Sequence, residues 1–380
     1  MKIGILSMQR VENYGSLLQA YALKKTIELY DHDVCFVDIK YIRNDYDLLG
    51  NTKPSFIEYE KKGLTVSKID KFLFYRFIHK FKNKYLLKEF DEFRRKYLNI
   101  GKTESNYDLC VIGSDEVFNC LNREFWGFTS QLFGNVPEAK KIITYAASCG
   151  STTFHKIPDR VIERIENTIK NISGYSVRDS NTKMFLTNFI EDNITENIDP
   201  VLFYDFDKEI DCANEINCPK HYCIIYGYSN RFRNKNEYKA ILSFCKKRGL
   251  TPISLFGHQF WCRKFMICSP FECLKLFKNA DFVITDTFHG TIFSIKYSRK
   301  FAVIVRESNK NKLEDLVNRM QINNHIVANM NDLDKIYEIE KDEKAINDIL
   351  TVEKEKTINY LERFIKQWQI AEEVICLKIH

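Results

Sequence analysis

A chain of 380 residues, 44% apolar and 14% aromatic, is too long for one small core and carries enough apolar material for two. Its 57 basic and 51 acidic side chains leave a formal charge of +6, a small excess that excludes a strongly basic nucleic-acid binder and suits anionic small molecules or the anionic face of a membrane. Twelve cysteines lie mostly inside apolar runs, with no apolar leader before the first strand, so the expectation is a protein of the reducing cytoplasm whose thiols act as small hydrophobes. No apolar run approaches the ~20 residues that span a bilayer, so any membrane contact is expected to be peripheral, at the inner face.

Strands alternate with amphipathic helices along the chain. Lys2 to Ser7 reads as a first strand, Tyr14 to Tyr30 as a helix, and Asp33 to Ile39 as the next strand. From about 41 to 100 the sequence turns rich in Lys, Phe and Tyr, with Phe72, Tyr75, Phe77 and Phe81 at helical spacing, and predicts an inserted helical segment. Strands resume at Asp108 to Ile112, Ile142 to Ala146 and Tyr175 to Val177, with a helix over Asp159 to Ile172 and another opening at Asp179. Between Phe189 and Pro219 the periodicity fails, and the stretch predicts an interdomain linker.

A second series begins at Tyr222 to Tyr226 and continues through Pro252 to Phe256, Phe282 to Thr285 and Ala302 to Val305. Two such series predict an α/β protein of two Rossmann-like, doubly wound domains facing a cleft. The expected boundaries are 1–200, 201–342 and a C-terminal helix over 343–380 that crosses back to the first domain.

Ligands in such sheets bind beyond the C-terminal ends of the strands. Four loops there carry candidate chemistry. Asn13, Tyr14 and Gly15 follow the first strand without the glycine spacing of a dinucleotide or phosphate loop. Gly113-Ser114-Asp115-Glu116 reads as a small-residue turn whose carboxylates could orient a sugar hydroxyl or accept its proton, although Asp115 also suits a helix N-cap. Ser148 stands at another small-residue strand end, beside Cys149, which lacks an identifiable base. Arg178, at a strand-to-helix junction, could fork onto a carboxylate or phosphate, or simply pair with an aspartate. The densest signal is Thr287-Phe288-His289-Gly290-Thr291, where a titratable imidazole meets the free amides of a helix start. Cys262, Cys268 and Cys273 lack the paired spacing of a zinc site, and no metal is expected.

Asn13-Tyr14-Gly15 with Leu18-Gln19-Ala20-Tyr21-Ala22-Leu23, Gly113-Ser114-Asp115 with Val117 and Asn119, Tyr145-Ala146-Ala147-Ser148, Ser176-Val177-Arg178, Asp199-Pro200, and the run from Ala280 to Thr291 resemble, in order, the motifs of the polysaccharide pyruvyl transferase family. The resemblance extends from Met1 to about residue 330. It implies a GT-B-like pair of domains and transfer of pyruvate from phosphoenolpyruvate, without a cofactor, onto a sugar of a bacterial surface polysaccharide or its lipid-linked precursor. His289 and Arg178 match family site residues. With them the reading assigns His289 and Asp115 to catalysis. Arg178, Arg306, Gly290, Thr291 and Thr287 are assigned to the donor, and Asn13, Tyr14, Gly15, Ser114, Glu116 and Ser148 to the acceptor.

Some relatives have an arginine two residues before the histidine, where this chain has Thr287. Arg306, Arg231 or Arg233 could supply the missing charge, or donor binding differs in this branch. A nucleotide-sugar glycosyltransferase and a non-catalytic glycan-binding protein of the same pathway are the alternative readings.

Overall fold

The computed structural model describes residues 1–40, 42, 45, 48, 84–100, 106–121 and 128–366. Strands β1 (Lys2–Leu6), β2 (Asp33–Phe36), β3 (Leu109–Asp115), β4 (Ile142–Ala147), β5 (Tyr175–Val177) and β6 (Ile194–Glu196) form one parallel sheet in the order β2-β1-β3-β4-β5-β6. Strands β7 (Tyr222–Gly227), β8 (Thr251–Phe256), β9 (Lys264–Phe265), β10 (Phe282–Thr285) and β11 (Phe301–Val303) form a second, in the order β11-β10-β7-β8-β9. Every residue of β3, β4, β7 and β10 is buried, as strands covered by helices on both faces require. Chain direction across the sheets reverses between β1 and β3 and between β7 and β10, and at such points a crevice opens beyond the strand ends. The fold is therefore the expected α/β pair of doubly wound, GT-B-like domains.

The helix Tyr14–Glu28 buries nearly its whole surface, and the reason is the second domain packed on it. Tyr14 donates its hydroxyl to the Cys268 carbonyl at 3.0 Å, and the Tyr21 ring lies 5.2 Å from that of Phe271. Residues of both sheets thus share one apolar core. Asn13 caps this helix, accepting from the Ser16 amide at 2.7 Å. Ahead of the cap, the loop is pinned by the buried Arg94, whose guanidinium donates to the carbonyls of Gln9, Arg10 and Val11, each at 3.1 Å. Arg94 belongs to the described end of the inserted segment, a helix over 84–98 closed by a π-helical turn. The Phe72 to Phe81 stretch lies outside the described residues.

Two expectations need correction. The predicted linker holds the sixth strand, Ile194–Glu196, and two short helices, Pro200–Phe203 and Asp207–Asp211. Elements of three to five residues are too short to show a period, which is why the stretch read as irregular. The Gly113 to Glu116 turn is strand through Asp115, because β3 is flanked by β1 and β4 and its pairing continues to Asp115 opposite Ala147. Gly113 is needed there: at φ 122° a Cβ would lie 2.2 Å from the Tyr145 carbonyl oxygen.

The helix Glu343–Ile365 packs on the first domain. Its Tyr360 hydroxyl donates to the Thr144 carbonyl at 2.8 Å, and Thr357 meets the Tyr145 hydroxyl at 3.3 Å. Among the described residues, no helix is long and apolar enough to cross a membrane.

Candidate active site

A cleft of about 530 Å³ opens where the two switch points face each other. Asn13, Ser16, Asp115, Glu116 and Arg178 line it from the first domain, and Tyr228, Arg231, Asp286, Thr287, Phe288, His289 and Lys312 from the second.

Asp199, in contact with Arg178 and His289 of the lining, joins the halves. This fully buried carboxylate caps the helix Pro200–Phe203 through the Val201 amide at 3.0 Å. Its Oδ2 accepts from Arg178 Nη1 at 2.9 Å and lies 3.5 Å from His289 Nε2. Arg178 Nη1 is also 3.5 Å from Asp115 Oδ1, while Asp115 Oδ2 accepts from the Ser16 hydroxyl at 2.7 Å. Burial pushes both carboxyls up. His289 and Arg178 outweigh it at each, aided by the Ser16 hydroxyl at Asp115 and the Val201 amide at Asp199, and hold both below the ordinary aspartate value. Both are therefore ionised at neutral pH.

The guanidinium of Arg178 lies over an aromatic ring. Its centre lies 4.1 Å from the Phe288 ring, and burial, which disfavours its charge, is more than offset by Asp115, Asp199, Asp179 and Glu116. Nε and Nη2 of Arg178, and Nε2 of His289, are buried without a hydrogen-bond partner among the described residues. Buried donors left open carry a desolvation penalty unless something else meets them, and in a cleft that partner is a ligand or water.

His289 reaches this position because Gly15 makes room. A Cβ on Gly15 would lie 2.0 Å from His289 Cγ, so the helix of the first domain touches the imidazole only as glycine. Asp115 holds a left-handed φ of 77°, a conformation that L-residues rarely adopt and that concentrates at functional sites. Across the cleft, Lys312 Nζ pairs with Glu116 Oε1 at 2.5 Å.

Several assigned residues lie elsewhere. Tyr14 is interdomain packing. Ser148 donates to Asp179 Oδ2 at 2.7 Å and so fixes an N-cap, and Ser114 is fully buried behind Asp115, whose amide it accepts at 2.7 Å. The amides of Gly290 and Thr291 are taken by Thr287, through its hydroxyl at 3.0 Å and its carbonyl at 3.0 Å. That hydroxyl is the helix N-cap, which leaves them no bond for a donor. Arg306 is bound to Asp286 at 3.0 Å and Glu237 at 2.6 Å and lines a neighbouring hollow with Arg231 and Arg233, outside the cleft. Arg231, held by Asp286 at 3.0 Å and by Ser308 at 2.6 Å, lines both.

The residues missed are Ser16, Asp199, Lys312 and Tyr228. Asp199 stood in the Asp-Pro step already noted, where the sequence offers only the cap; its second role needed the fold.

A model of the polysaccharide pyruvyl transferase family matches residues 13–308, a span that contains Asn13, Asp115, Arg178, Asp199 and His289. The chain belongs to this family. It is accordingly a transferase of polysaccharide biosynthesis. A comparison with curated proteins gave no significant match. Among solved structures, the transferase is similar to UDP-GlcNAc 2-epimerase of Methanocaldococcus jannaschii in complex with UDP-GlcNAc and UDP, at 14% identity and a TM-score of 0.46 over 93% of this chain and 99% of that one. It is also similar to the glycosyltransferase SnogD of Streptomyces nogalater, at 10% identity and a TM-score of 0.43 over 97% and 99% of the two chains.

Proposed function

We propose that this transferase takes its pyruvyl group from phosphoenolpyruvate and closes it as a ketal on two hydroxyls of a sugar in a bacterial surface glycan or its lipid-linked precursor. The observation that carries the reading is the pair of open, buried donors on Arg178 beside the open Nε2 of His289 in one cleft. A planar guanidinium with two free N–H directions matches a carboxylate or phosphate. Around it, Asp115 and Asp199 place two negative charges beside the Arg178 guanidinium and the His289 imidazole.

Asp115, ionised and within reach of a hydroxyl, takes the proton of the attacking sugar oxygen as that oxygen bonds to C2 of the enol phosphate. His289 delivers its proton to C3, turning the methylene into a methyl group. The bond from C2 to the phosphate oxygen then breaks and a second hydroxyl closes on C2. Two hydroxyl protons are released and one has been consumed from His289. One restores the histidine and the other leaves with phosphate or solvent. Arg178 and the cations Arg231 and Lys312 stabilise the departing phosphate.

Calorimetric titration with phosphoenolpyruvate tests the assignment. Wild type and His289→Asn should bind, and Arg178→Ala should bind at least about tenfold more weakly, the loss of one charge-assisted contact. Equal affinity in Arg178→Ala would remove the arginine from the donor site.

A further inference from the structure

With Tyr14, Ser114 and Ser148 turned away from the cleft, the described residues of the first domain offer an acceptor the polar groups of Asn13, Ser16, Asp115 and Glu116, and no aromatic surface among them. A pyranose has polar edges and a face of C–H bonds, and such a face is recognised by a flat apolar ring. Among the described residues, the Phe and Tyr rings lining the cleft are Tyr226, Tyr228, Phe256 and Phe288, all from the second domain. Tyr226 is 2% exposed and Phe288 6% exposed, the latter also covered by Arg178. Tyr228 is 52% exposed. Among the described residues it is the open ring of the cleft.

Its position is built. The Tyr228 carbonyl accepts from Gln259 Nε2 at 2.9 Å and from the Arg231 amide at 3.0 Å, and Gln259 is fully buried. The end of β8 presses against the end of β7 so closely that a Cβ on Gly257 would lie 2.2 Å from the Tyr228 carbonyl carbon. Phe256 takes a left-handed φ of 68° there and sets its ring 4.9 Å from that of Tyr228, edge to face, while stacking on Tyr226 at 5.6 Å. Backbone strain is thus spent to back an exposed aromatic from beneath. Across from it stand Glu116 and Asp115, close enough for their charges to act on the Tyr228 hydroxyl.

We infer that Tyr228, backed by Phe256, is the platform on which the C–H face of the acceptor pyranose stacks, presenting its hydroxyls to Asp115. The inference rests on the transfer reading above and adds the class of ligand and the residue that selects it: a neutral hexopyranose held through one face. Tyr228 lies outside the donor contacts assigned to Arg178 and His289.

Two measurements test it, one of them independent of the donor. Saturation-transfer NMR on a panel of methyl hexopyranosides should show ring C–H protons of at least one sugar saturated by wild type and by Tyr228→Phe, and not by Tyr228→Ala. In steady-state transfer, Tyr228→Ala should raise the acceptor KM about five- to tenfold, as loss of an aromatic contact implies, with the phosphoenolpyruvate KM unchanged and Tyr228→Phe close to wild type. Saturation undiminished in Tyr228→Ala overturns the platform, as does a rise confined to the phosphoenolpyruvate KM. Absence of phosphate release by wild type with every acceptor would instead sink the donor reading, and the NMR arm would still decide on the platform.

Discussion

Asp199 is the residue on which both halves of the site depend. It is fully buried, holds Arg178 from its own domain at 2.9 Å, and stands 3.5 Å from His289 of the other. A buried guanidinium that loses its partner is left with an uncompensated charge, and breaking such a pair costs about 3–5 kcal/mol. Asp199→Asn should therefore lower stability by an amount of that order, seen as a shift of the denaturant midpoint. The pH dependence follows from the same charges. Asp115 and Asp199 lie below the ordinary value of 3.8 in the folded state. A carboxyl depressed by folding contributes its stability above its unfolded value and loses it as pH falls through the folded one. The transferase should thus lose stability below about pH 4, and Asp199→Asn should fall less steeply there. Parallel acid limbs in the two proteins would refute the role given to this carboxylate.

The helix Lys310–Arg319 acts as a clamp from the second domain onto the first. Lys312, Asp315 and Arg319 fall on one face at spacings of three and four residues. Lys312 pairs with Glu116 at 2.5 Å, Asp315 accepts from the Ser180 hydroxyl at 3.0 Å, and Arg319 donates to the carbonyls of Arg178 and Glu196, both at 3.4 Å. Arg319 also pairs with Glu353 of the C-terminal helix at 2.5 Å, which ties that helix to the same junction. It touches the backbone of the residue that offers the open guanidinium and is a positioning residue. Arg319→Gln should raise the phosphoenolpyruvate KM several-fold, with partial rescue in Arg319→Lys, because a lysine can still reach one carbonyl. A KM unchanged by Arg319→Gln would reduce the contact to packing.

β3, β4, β7 and β10 were legible because strands buried on both faces are continuous apolar runs, whereas β6 and the two-residue β9 are too short to show any pattern. The helix Tyr14–Glu28 reads as amphipathic, and the burial of its polar Ser16, Gln19, Lys24 and Thr26 along with its apolar face shows only in the fold. Tyr14 reads as an acceptor residue from its place just after the first strand, whereas its hydroxyl and ring are taken up by the second domain.

Over the whole molecule, two parallel sheets with opposed switch points make a cleft whose walls come from chain segments far apart. Asp115 and Asp199 are separated by more than eighty residues, and His289 by ninety more. His289 and Arg178 were legible because strand ends announce themselves. The hydrogen-bond state of each group was not, since whether the Gly290 amide is free or capped by Thr287, or whether Arg306 is spent on Asp286, depends on contacts that pattern cannot supply. The shared core of the two domains keeps this geometry assembled, and the cleft between them brings the cations together with the open ring of Tyr228.

The most direct test of pyruvyl transfer is product analysis by proton NMR after incubating the wild-type protein with phosphoenolpyruvate and a panel of hexose acceptors. Pyruvyl transfer should give a new methyl singlet from a ketal, one phosphate released per ketal formed, and neither with His289→Asn. Turnover of a nucleotide-sugar with no ketal methyl and no phosphate from phosphoenolpyruvate would contradict it.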